Sequence, residues 1–235
     1  MSDLTIVLLT ENLVPAEWAR YHRDVLRAAA GDADILTVSR VPMDWGTNLL
    51  QDAPRSVANI FHQLYRAAQV ATTPYLAVAE DDVLYARTHF AWRPPPGAVG
   101  YNLCRWKVYT FGAPIFGWTD RISNATLVGD RQAILTACAA REARYPEGVP
   151  DHRVGEIGRG MVARRLGVVD ATRVVRFWTE PAIVHLCHPQ GLDPLEHSHR
   201  KRLPPLRAVE IPHWGTAAAI RDRYLDALRA SEAQS

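Results

Sequence analysis

The first 80 residues alternate between short apolar runs and longer segments with helical periodicity. The apolar runs cover residues 4–10, 34–39 and 75–79, and their continuous apolar character is typical of strands buried on both faces. Between them, apolar residues recur at helical spacing in stripes that include Trp18 and Phe61. This strand–helix–strand–helix–strand order predicts an α/β fold with a mostly parallel central sheet and right-handed crossovers.

The remaining sequence has shorter elements. Strands are predicted at residues 98–103, 108–111, 125–129, 174–178 and 182–186. Helices are predicted at residues 130–145, with Asp130 as the cap, at 155–166, and after Thr216 as the cap. No linker is evident, and 235 residues fit one domain. We predict a single domain over residues 1–235, with a nucleotide-binding half at 1–97 and a smaller antiparallel portion within 98–235.

Composition limits the functional classes. Apolar residues make up 48% of the chain and the formal net charge is only +2. A nearly balanced charge predicts neither strong nucleic-acid binding nor attachment to a membrane surface. The three cysteines are too few and too scattered for a disulfide framework, and the sequence has no signal-peptide pattern and no run of membrane-spanning length. We expect a cytoplasmic protein without membrane insertion.

Three consecutive carboxylates follow the apolar run at 75–79. Glu80, Asp81 and Asp82 repel one another, so their crowding needs a compensating interaction. Hard oxygen ligands suit Mg²⁺ or Mn²⁺, which share phosphate oxygens with a substrate. The alternative is an acidic turn with a capping role.

Further polar residues follow the other predicted strands. In parallel sheets, ligands bind beyond the carboxyl ends of the strands. We therefore expect one crevice to contain the acidic cluster, the loop after Ser39, and the residues Thr10, Glu11 and Asn12.

The stretch RSVANIFHQLYRAAQVATTPYLAVAEDDVLY, at residues 55–85, resembles the core of glycosyltransferases with the GT-A fold. In that family, a helix with Asn and small residues leads into a strand that ends in an acidic Asp-x-Asp-type motif. The segments ILTVSRVPMDWGTN and EDDVLYARTHF resemble small glycosyltransferases encoded by phages and related bacterial loci. The resemblance covers roughly residues 34–135. It departs from the wider family at Glu80, where many members have Asp.

The resemblance implies a single GT-A-type, Rossmann-like domain and a metal at the acidic cluster. Asp82 is the favoured metal ligand, and Glu80 remains open as a second. Asp81 is then expected to face the donor's ribose or to assist the metal.

The same resemblance implies the donor-binding residues. Thr10, Glu11 and Asn12 are expected to contact the nucleotide base or ribose. Arg55 and Ser56 are expected to open the helix before the acidic strand, where an arginine and a helix N-terminus both favour phosphate. The alternative for Arg55 is an ordinary surface side chain.

Four histidines lie within fifteen residues between positions 185 and 199. Members of the fold commonly use a histidine from this region as a late metal ligand, so His185 and His188 are both candidates. His188 is preferred, because it precedes Pro189 and is expected to project from the end of the strand. A structural zinc site with Cys187 is an alternative, but the spacing matches no standard zinc signature. The other alternative is a polar loop whose histidines have no metal-binding role.

An inverting transferase needs a general base for the acceptor hydroxyl. In the wider family a carboxylate opens a helix that runs through arginine to glycine about eleven residues on, and Glu156 to Gly167 fits this pattern. Glu156 is therefore the first choice and Asp151 the second. Either residue has an alternative role in stabilising a helix start. A retaining enzyme would not require this base.

The predicted activity is metal-dependent transfer of a sugar from a nucleotide donor, with a UDP-sugar as the first expectation, to an acceptor hydroxyl. The phage-type resemblance suggests a 5-hydroxymethylpyrimidine in DNA as acceptor. A glycan, a lipid or a small molecule remains an alternative. A nucleotidyltransferase would favour a glycine-rich loop after the first strand, where this chain has TENLVP, and a non-catalytic binding module would usually lack the acidic cluster.

Overall fold

Strands and helices alternate along the described part of the chain. The structure, a computed structural model, describes residues 2–150, 154–191, 204 and 206–233. Its strands are β1 (Leu4–Leu9), β2 (Asp34–Ser39), β3 (Thr47–Leu50), β4 (Tyr75–Glu80), β5 (Val83–Leu84), β6 (Ala98–Asn102), β7 (Arg105–Tyr109), β8 (Phe116–Trp118), β9 (Leu127–Asp130), β10 (Arg173–Phe177), β11 (Ile183–Cys187), β12 (Leu206–Ala208), β13 (Glu210–Ile211) and β14 (Gly215–Thr216). Its helices are α1 (Ala16–Ala30), α2 (Asn59–Val70), α3 (Arg87–Ala91), α4 (Arg131–Arg144), α5 (Gly160–Leu166) and α6 (Ala217–Glu232).

The larger sheet has seven strands in the order β10–β6–β9–β4–β1–β2–β3. Its strands are parallel except β9, which pairs antiparallel with both β4 and β6. The three apolar runs of the first 80 residues form β1, β2 and β4. The predicted α/β fold with a mostly parallel central sheet is confirmed.

β1 and β4 lie side by side within this sheet. All six residues of β1 are buried, as are residues 76–79 of β4. Their register pairs Leu4 with Tyr75 and Leu9 with Glu80. Because the two strands are parallel, the residue after β1, Thr10, lies at the same edge of the sheet as the acidic turn after β4.

Helices cover both faces of the β1–β4 pair, which explains why the apolar runs are continuous. Val7 of β1 belongs to the same buried cluster as Phe61 of α2 and Ile134 of α4. Its neighbour Ile6 belongs to a second cluster with Leu26 of α1. Alternate residues of the strand therefore pack on opposite sides.

The predicted helix ends agree with the structure at several places. Asp130 accepts a hydrogen bond from the Ala133 N–H at 2.9 Å, and Thr216 accepts one from Ala219 at 3.2 Å. Gly31 follows α1 with a φ of 62°, which a glycine adopts without steric cost. No helix in the described ranges is both long and apolar enough to cross a membrane.

A second sheet has five strands in the order β12–β8–β7–β11–β5. Most of its pairs are antiparallel, as predicted, but β7 and β11 are parallel. Strand β5 follows the acidic turn directly and pairs with β11, so that Val83 lies opposite His185. The acidic turn thus lies between the two sheets, beside the strand that carries the first of the predicted histidines.

Some predicted boundaries were wrong. The loop expected after Ser39 contains β3, an edge strand with two of its four residues exposed and a weak apolar signal. The helix expected over residues 155–166 begins only at Gly160. Gly158, two residues earlier, has a φ of 74°, which is incompatible with an α-helix. The strand expected at 108–111 begins earlier, at Arg105.

A buried ion pair connects α4 to the segment before β10. The side chains of Arg141 and Asp170 are both fully buried, with Arg141 Nη2 2.8 Å from Asp170 Oδ2. The same carboxylate oxygen accepts the Gly158 N–H at 2.9 Å. Burial alone would raise the pKa of Asp170, but the Gly158 and Arg141 hydrogen bonds hold it below its usual value. Ionised Asp170 is therefore required to compensate a buried guanidinium.

We predict that Asp170→Asn lowers the free energy of unfolding by about 3–5 kcal/mol, because it leaves the Arg141 charge buried without a counter-charge. Urea denaturation at neutral pH measures this loss. Because the folded-state pKa of Asp170 is lowered, its stabilising effect is present above the unfolded-state value of about 3.9 and disappears as the pH falls through the folded-state pKa. The difference between wild type and variant should shrink over that acidic range.

Asp226→Asn is the matched control. Asp226 forms an ion pair with Arg229 at 2.7 Å, but both side chains are 70% exposed. Exposed pairs contribute about 0–1 kcal/mol. An equal loss of stability in the two variants would contradict the structural importance of the buried pair.

Candidate functional site

A cavity of about 260 Å³ opens at the carboxyl ends of β1 and β4. Its wall is formed by the segment after β1, the turn after β4, the segment before α2 and the end of β11. The predicted site residues in this wall are Thr10, Glu11, Ser56, Glu80, Asp81, Asp82, His185 and His188. The structure therefore brings together most of the residues singled out from the sequence.

Hydrogen bonds from several elements hold the backbone of the acidic turn. The Trp18 indole N–H on α1 donates to the Asp81 carbonyl at 2.9 Å. The Leu186 N–H on β11 donates to the Asp82 carbonyl at 2.9 Å. The Glu80 N–H donates to a buried tyrosine hydroxyl at 3.1 Å. With its backbone held in this way, the turn presents its carboxylates at fixed positions.

Asp82 lies next to both candidate histidines. Its Oδ2 is 3.3 Å from His185 Nε2 and 3.7 Å from His188 Nε2. Its other oxygen, Oδ1, is buried and has no hydrogen-bond partner among the residues that the structure describes. A buried carboxylate oxygen without a donor is costly, so this atom is available to a cation.

Burial and mutual repulsion determine the ionisation of the three carboxyl groups. Burial, together with the Asp82 charge, raises the pKa of Glu80 to about 8 and that of Asp81 to about 7. Burial would also raise the pKa of Asp82, but the charges and hydrogen bonds of the two neighbouring histidines hold it well below its usual range. In the metal-free protein, Asp82 is therefore the carboxylate that stays ionised.

The donor atoms fit a divalent cation. One ligand atom each from Glu80, Asp82 and His185 lie within 4.8 Å of one another. Carboxylate oxygens with one imidazole nitrogen suit Mn²⁺ or Mg²⁺. Within Asp82, Oδ1 is the oxygen without a hydrogen-bond partner among the described residues. The cluster is a possible metal site, with both histidines in reach of Asp82.

Glu11 is the centre of a second polar group at the cavity wall. Its carboxylate accepts hydrogen bonds from Arg40 Nε at 2.6 Å, Gln51 Nε2 at 2.9 Å and Gln63 Nε2 at 3.2 Å. Arg55 Nε lies 3.7 Å from the same carboxylate. These interactions fix the Glu11 carboxylate and surround it with the amide and guanidinium groups of its partners.

Thr10 and Asn12 connect the end of β1 to the acidic turn and to β2. The Thr10 hydroxyl donates to Asp81 Oδ2. The Asn12 N–H donates to the Thr10 hydroxyl at 2.9 Å, and Asn12 Oδ1 accepts the Arg40 N–H at 2.8 Å. Asn12 has a φ of 54°, a conformation that asparagine tolerates better than most residues. These bonds shape the loop, and the contact of Asn12 with a nucleotide stays a prediction.

Arg55 and Ser56 do not open a helix as predicted. Helix α2 begins at Asn59, after a turn in which the Ser56 hydroxyl accepts the Ala58 N–H at 3.0 Å. Ser56 lines the cavity, whereas the Arg55 side chain is 54% exposed. The physical reason is local: the Ser56 side chain accepts the backbone N–H two residues on, which competes with helical hydrogen bonding.

Of the two candidate bases, Glu156 and Asp151, the described residues include only Glu156. Asp151 is outside the described residues. Glu156 precedes α5 and accepts a hydrogen bond from Arg159 Nη1 at 3.0 Å, with 18% of its side chain exposed. It is not part of the cavity wall that the described residues form. Its predicted catalytic role stays a prediction.

Sequence reasoning missed several residues around the site. Arg105 is buried, and its Nη1 lies 2.9 Å from His185 Nδ1. Tyr224 of α6 is buried, and its hydroxyl lies 2.9 Å from His188 Nδ1. In the sequence, Tyr224 lies among apolar residues at helical spacing, and this pattern gives no sign of a polar contact. The alternation of Arg105 and Lys107 along one strand face was the available signal for a charged cluster.

No protein-family model and no curated protein matches the sequence. Solved structures match at low identity. A mannosyltransferase from Pyrobaculum calidifontis, in complex with GDP-Man and Mn²⁺, is 13% identical over 99% of this chain and 76% of its own, with a TM-score of 0.44. A 2-C-methyl-D-erythritol 4-phosphate cytidylyltransferase from Thermus thermophilus is 14% identical over 83% and 98%, with a TM-score of 0.45.

A putative nucleotide-diphospho-sugar transferase from Desulfovibrio desulfuricans is 11% identical over 98% of this chain and 99% of its own, with a TM-score of 0.42. Since all three TM-scores are below 0.5, these similarities assign no activity to the chain. The functional conclusion depends on the residues of the site.

We predict that Asp82→Asn weakens Mn²⁺ binding by a factor on the order of 100 or more, because it removes the ionised carboxylate of the cluster and leaves an amide of the same shape. Isothermal titration of the protein with MnCl₂ measures the affinity. Asp32→Asn, at an exposed turn residue after α1, is the control and should bind as wild type does. Unchanged affinity in Asp82→Asn would exclude Asp82 as a ligand.

Proposed function

We propose that the protein is a glycosyltransferase that depends on a divalent metal and moves a sugar from a nucleoside diphosphate sugar to an acceptor hydroxyl. The observation that carries this proposal is the cluster of Glu80, Asp82 and His185 in the wall of the cavity. The cluster lies beyond the carboxyl ends of parallel strands, where α/β sheets bind nucleotides. The GT-A resemblance of residues 34–135 supports the same activity.

The donor would occupy the cavity between the acidic turn and Glu11. Glu11 and Gln63 line this part of the cavity and would offer polar atoms to a nucleobase edge. Asp81, which accepts a hydrogen bond from Thr10, would face the donor's ribose or assist the metal. A UDP-sugar remains the first expectation among donors.

The residues of the metal cluster would act on the diphosphate end of the donor. When bound, a divalent cation neutralises the charge that develops on the departing diphosphate. Asp82 and Glu80 would hold that cation through their carboxylates, and a histidine would complete the protein ligands. Lys107 also lines the cavity and adds a positive charge for phosphate oxygens.

In an inverting reaction the acceptor oxygen would attack the anomeric carbon as the bond to the diphosphate breaks. The proposed base, Glu156, would take the acceptor proton. Asp151 is the second choice. Neither residue is required if the reaction retains the anomeric configuration.

The acceptor class is proposed from the sequence resemblance alone. A 5-hydroxymethylpyrimidine in DNA is the first choice, and a glycan, a lipid or a small molecule is the alternative. A nucleotidyltransferase is less favoured. The segment between β1 and α1 has no glycine-rich phosphate loop, and its Thr10 hydroxyl is already bonded to Asp81.

Release of nucleoside diphosphate from a panel of nucleotide sugars tests the proposal. We expect release to require Mn²⁺ or Mg²⁺, to stop with EDTA, and to increase with the correct acceptor. Hydroxymethylated DNA, unmodified DNA, glycans and lipid acceptors should be compared in parallel. Release of pyrophosphate from a nucleoside triphosphate, with no turnover of any sugar nucleotide, would instead identify a nucleotidyltransferase.

We predict that Glu156→Gln lowers kcat by roughly 10²–10⁴-fold with little change in the donor KM, because it removes the base and leaves the donor site intact. Steady-state kinetics with the donor identified above measure both parameters. Glu147→Gln, at an exposed residue before Gly148, is the control. A normal kcat in Glu156→Gln would move the assignment to Asp151 or to a retaining mechanism.

A further inference from the structure

Tyr224 forms a buried contact beneath the metal cluster. It lies on α6, is 0% exposed, and its hydroxyl is 2.9 Å from His188 Nδ1. The same hydroxyl donates to Gln190 Oε1 at 2.8 Å. The His188 and Tyr224 rings also contact each other, with centroids 5.0 Å apart. A side chain far from the acidic turn in sequence therefore touches one of the two candidate metal ligands.

The hydrogen-bond donors fix which nitrogen of His188 carries the proton. A tyrosine hydroxyl has one hydrogen, and that of Tyr224 is directed to Gln190 Oε1. The Tyr224 oxygen must then accept from His188, so the proton of the neutral ring is on Nδ1. His188 Nε2 is left with a lone pair that faces Asp82 Oδ2 at 3.7 Å. His188 Nε2 and Asp82 Oδ2 are then both acceptors, and they repel each other unless a proton or a metal ion lies between them.

His185 has the opposite arrangement. A guanidinium can only donate, so Arg105 Nη1, at 2.9 Å, requires His185 Nδ1 to be the acceptor. The proton of neutral His185 is therefore on Nε2, which lies 3.3 Å from Asp82 Oδ2 and donates to it. A metal ion would have to displace this proton before His185 Nε2 could join Glu80 and Asp82 as a ligand. His185 thus orients the Asp82 carboxylate.

We propose that Tyr224 is a positioning residue that holds His188 in the tautomer whose Nε2 faces Asp82 and can bind the divalent metal, beside the cluster of Glu80, Asp82 and His185. This inference rests on the metal-dependent activity proposed above. Outer groups that fix the tautomer of a metal-binding histidine typically change metal affinity by about 10–100-fold.

The surroundings of Tyr224 keep its hydroxyl in place. Its ring packs edge-to-face against Trp18 of α1, with centroids 5.2 Å apart and an interplanar angle of 74°. Trp18 is itself fully buried and donates to the Asp81 carbonyl. The two aromatic side chains therefore connect the acidic turn to His188 through packed, hydrogen-bonded contacts, which limits the movement of one relative to the other.

Tyr224→Phe tests the inference because it removes the hydroxyl and keeps the ring. We expect Mn²⁺ affinity, measured by titration calorimetry, to fall by about 10–100-fold. Nitrogen-15 NMR of the metal-free protein, at a pH where the His188 ring is neutral, should show protonated Nδ1 in the wild type and a mixture of tautomers in the variant. This spectroscopic change would not follow from a general loss of packing.

Tyr101→Phe is the matched control. Tyr101 is also 0% exposed, and its hydroxyl donates to a backbone carbonyl, that of Ile157, at 2.9 Å. It should lose stability without a change in Mn²⁺ affinity. His188→Gln should also lower Mn²⁺ affinity, because it removes the nitrogen that Tyr224 positions.

The outcomes distinguish this inference from the proposed function. If the wild type binds Mn²⁺ and Tyr224→Phe binds it equally well, the positioning role is wrong and the proposed function is unaffected. A wild-type His188 with its proton on Nε2 would likewise overturn the inference alone. A wild type that binds no divalent metal would overturn both.

Discussion

The parallel pairing of β1 with β4 is the interaction on which the rest of the structure depends. Its register places Leu9 beside Glu80, so the two strands end together and their following residues meet. The hydrogen bond from Thr10 to Asp81 is a direct result. A slip of one residue along either strand would turn its alternating apolar side chains to the wrong sides of the sheet and separate these polar ends.

Crowding of negative charge at this edge is balanced within the protein. Asp82 remains ionised because two histidines lie beside it, whereas burial favours protonated Glu80 and Asp81. Of the three carboxyl groups in the acidic turn, Asp82 is therefore the one that stays negatively charged in the metal-free protein. Binding of a divalent ion would displace protons from the other groups, which couples metal affinity to proton release.

Sequence patterns located the central strands and much of the site, because continuous apolar runs and carboxylates at strand ends are local signals. Asp130 and Thr216 were identified as caps for the same reason. The edge strand β3 was missed because its apolar content is low, and the contacts of Arg105 and Tyr224 were missed because they join segments far apart in sequence. Periodicity places Tyr224 on a buried helix face, but it does not reveal which polar atom that face meets.

The contribution of α6 gives the carboxyl-terminal helix a consequence for how the protein can be handled. Since Tyr224 reaches His188 from this helix, a shortened chain ending before residue 217 would keep Glu80, Asp82 and both histidines and would still lack the support beneath them. Fusions or tags at this end would be attached directly after α6, which packs against α1 and the second sheet. An intact set of ligands in such a shortened protein would therefore not guarantee a working metal centre.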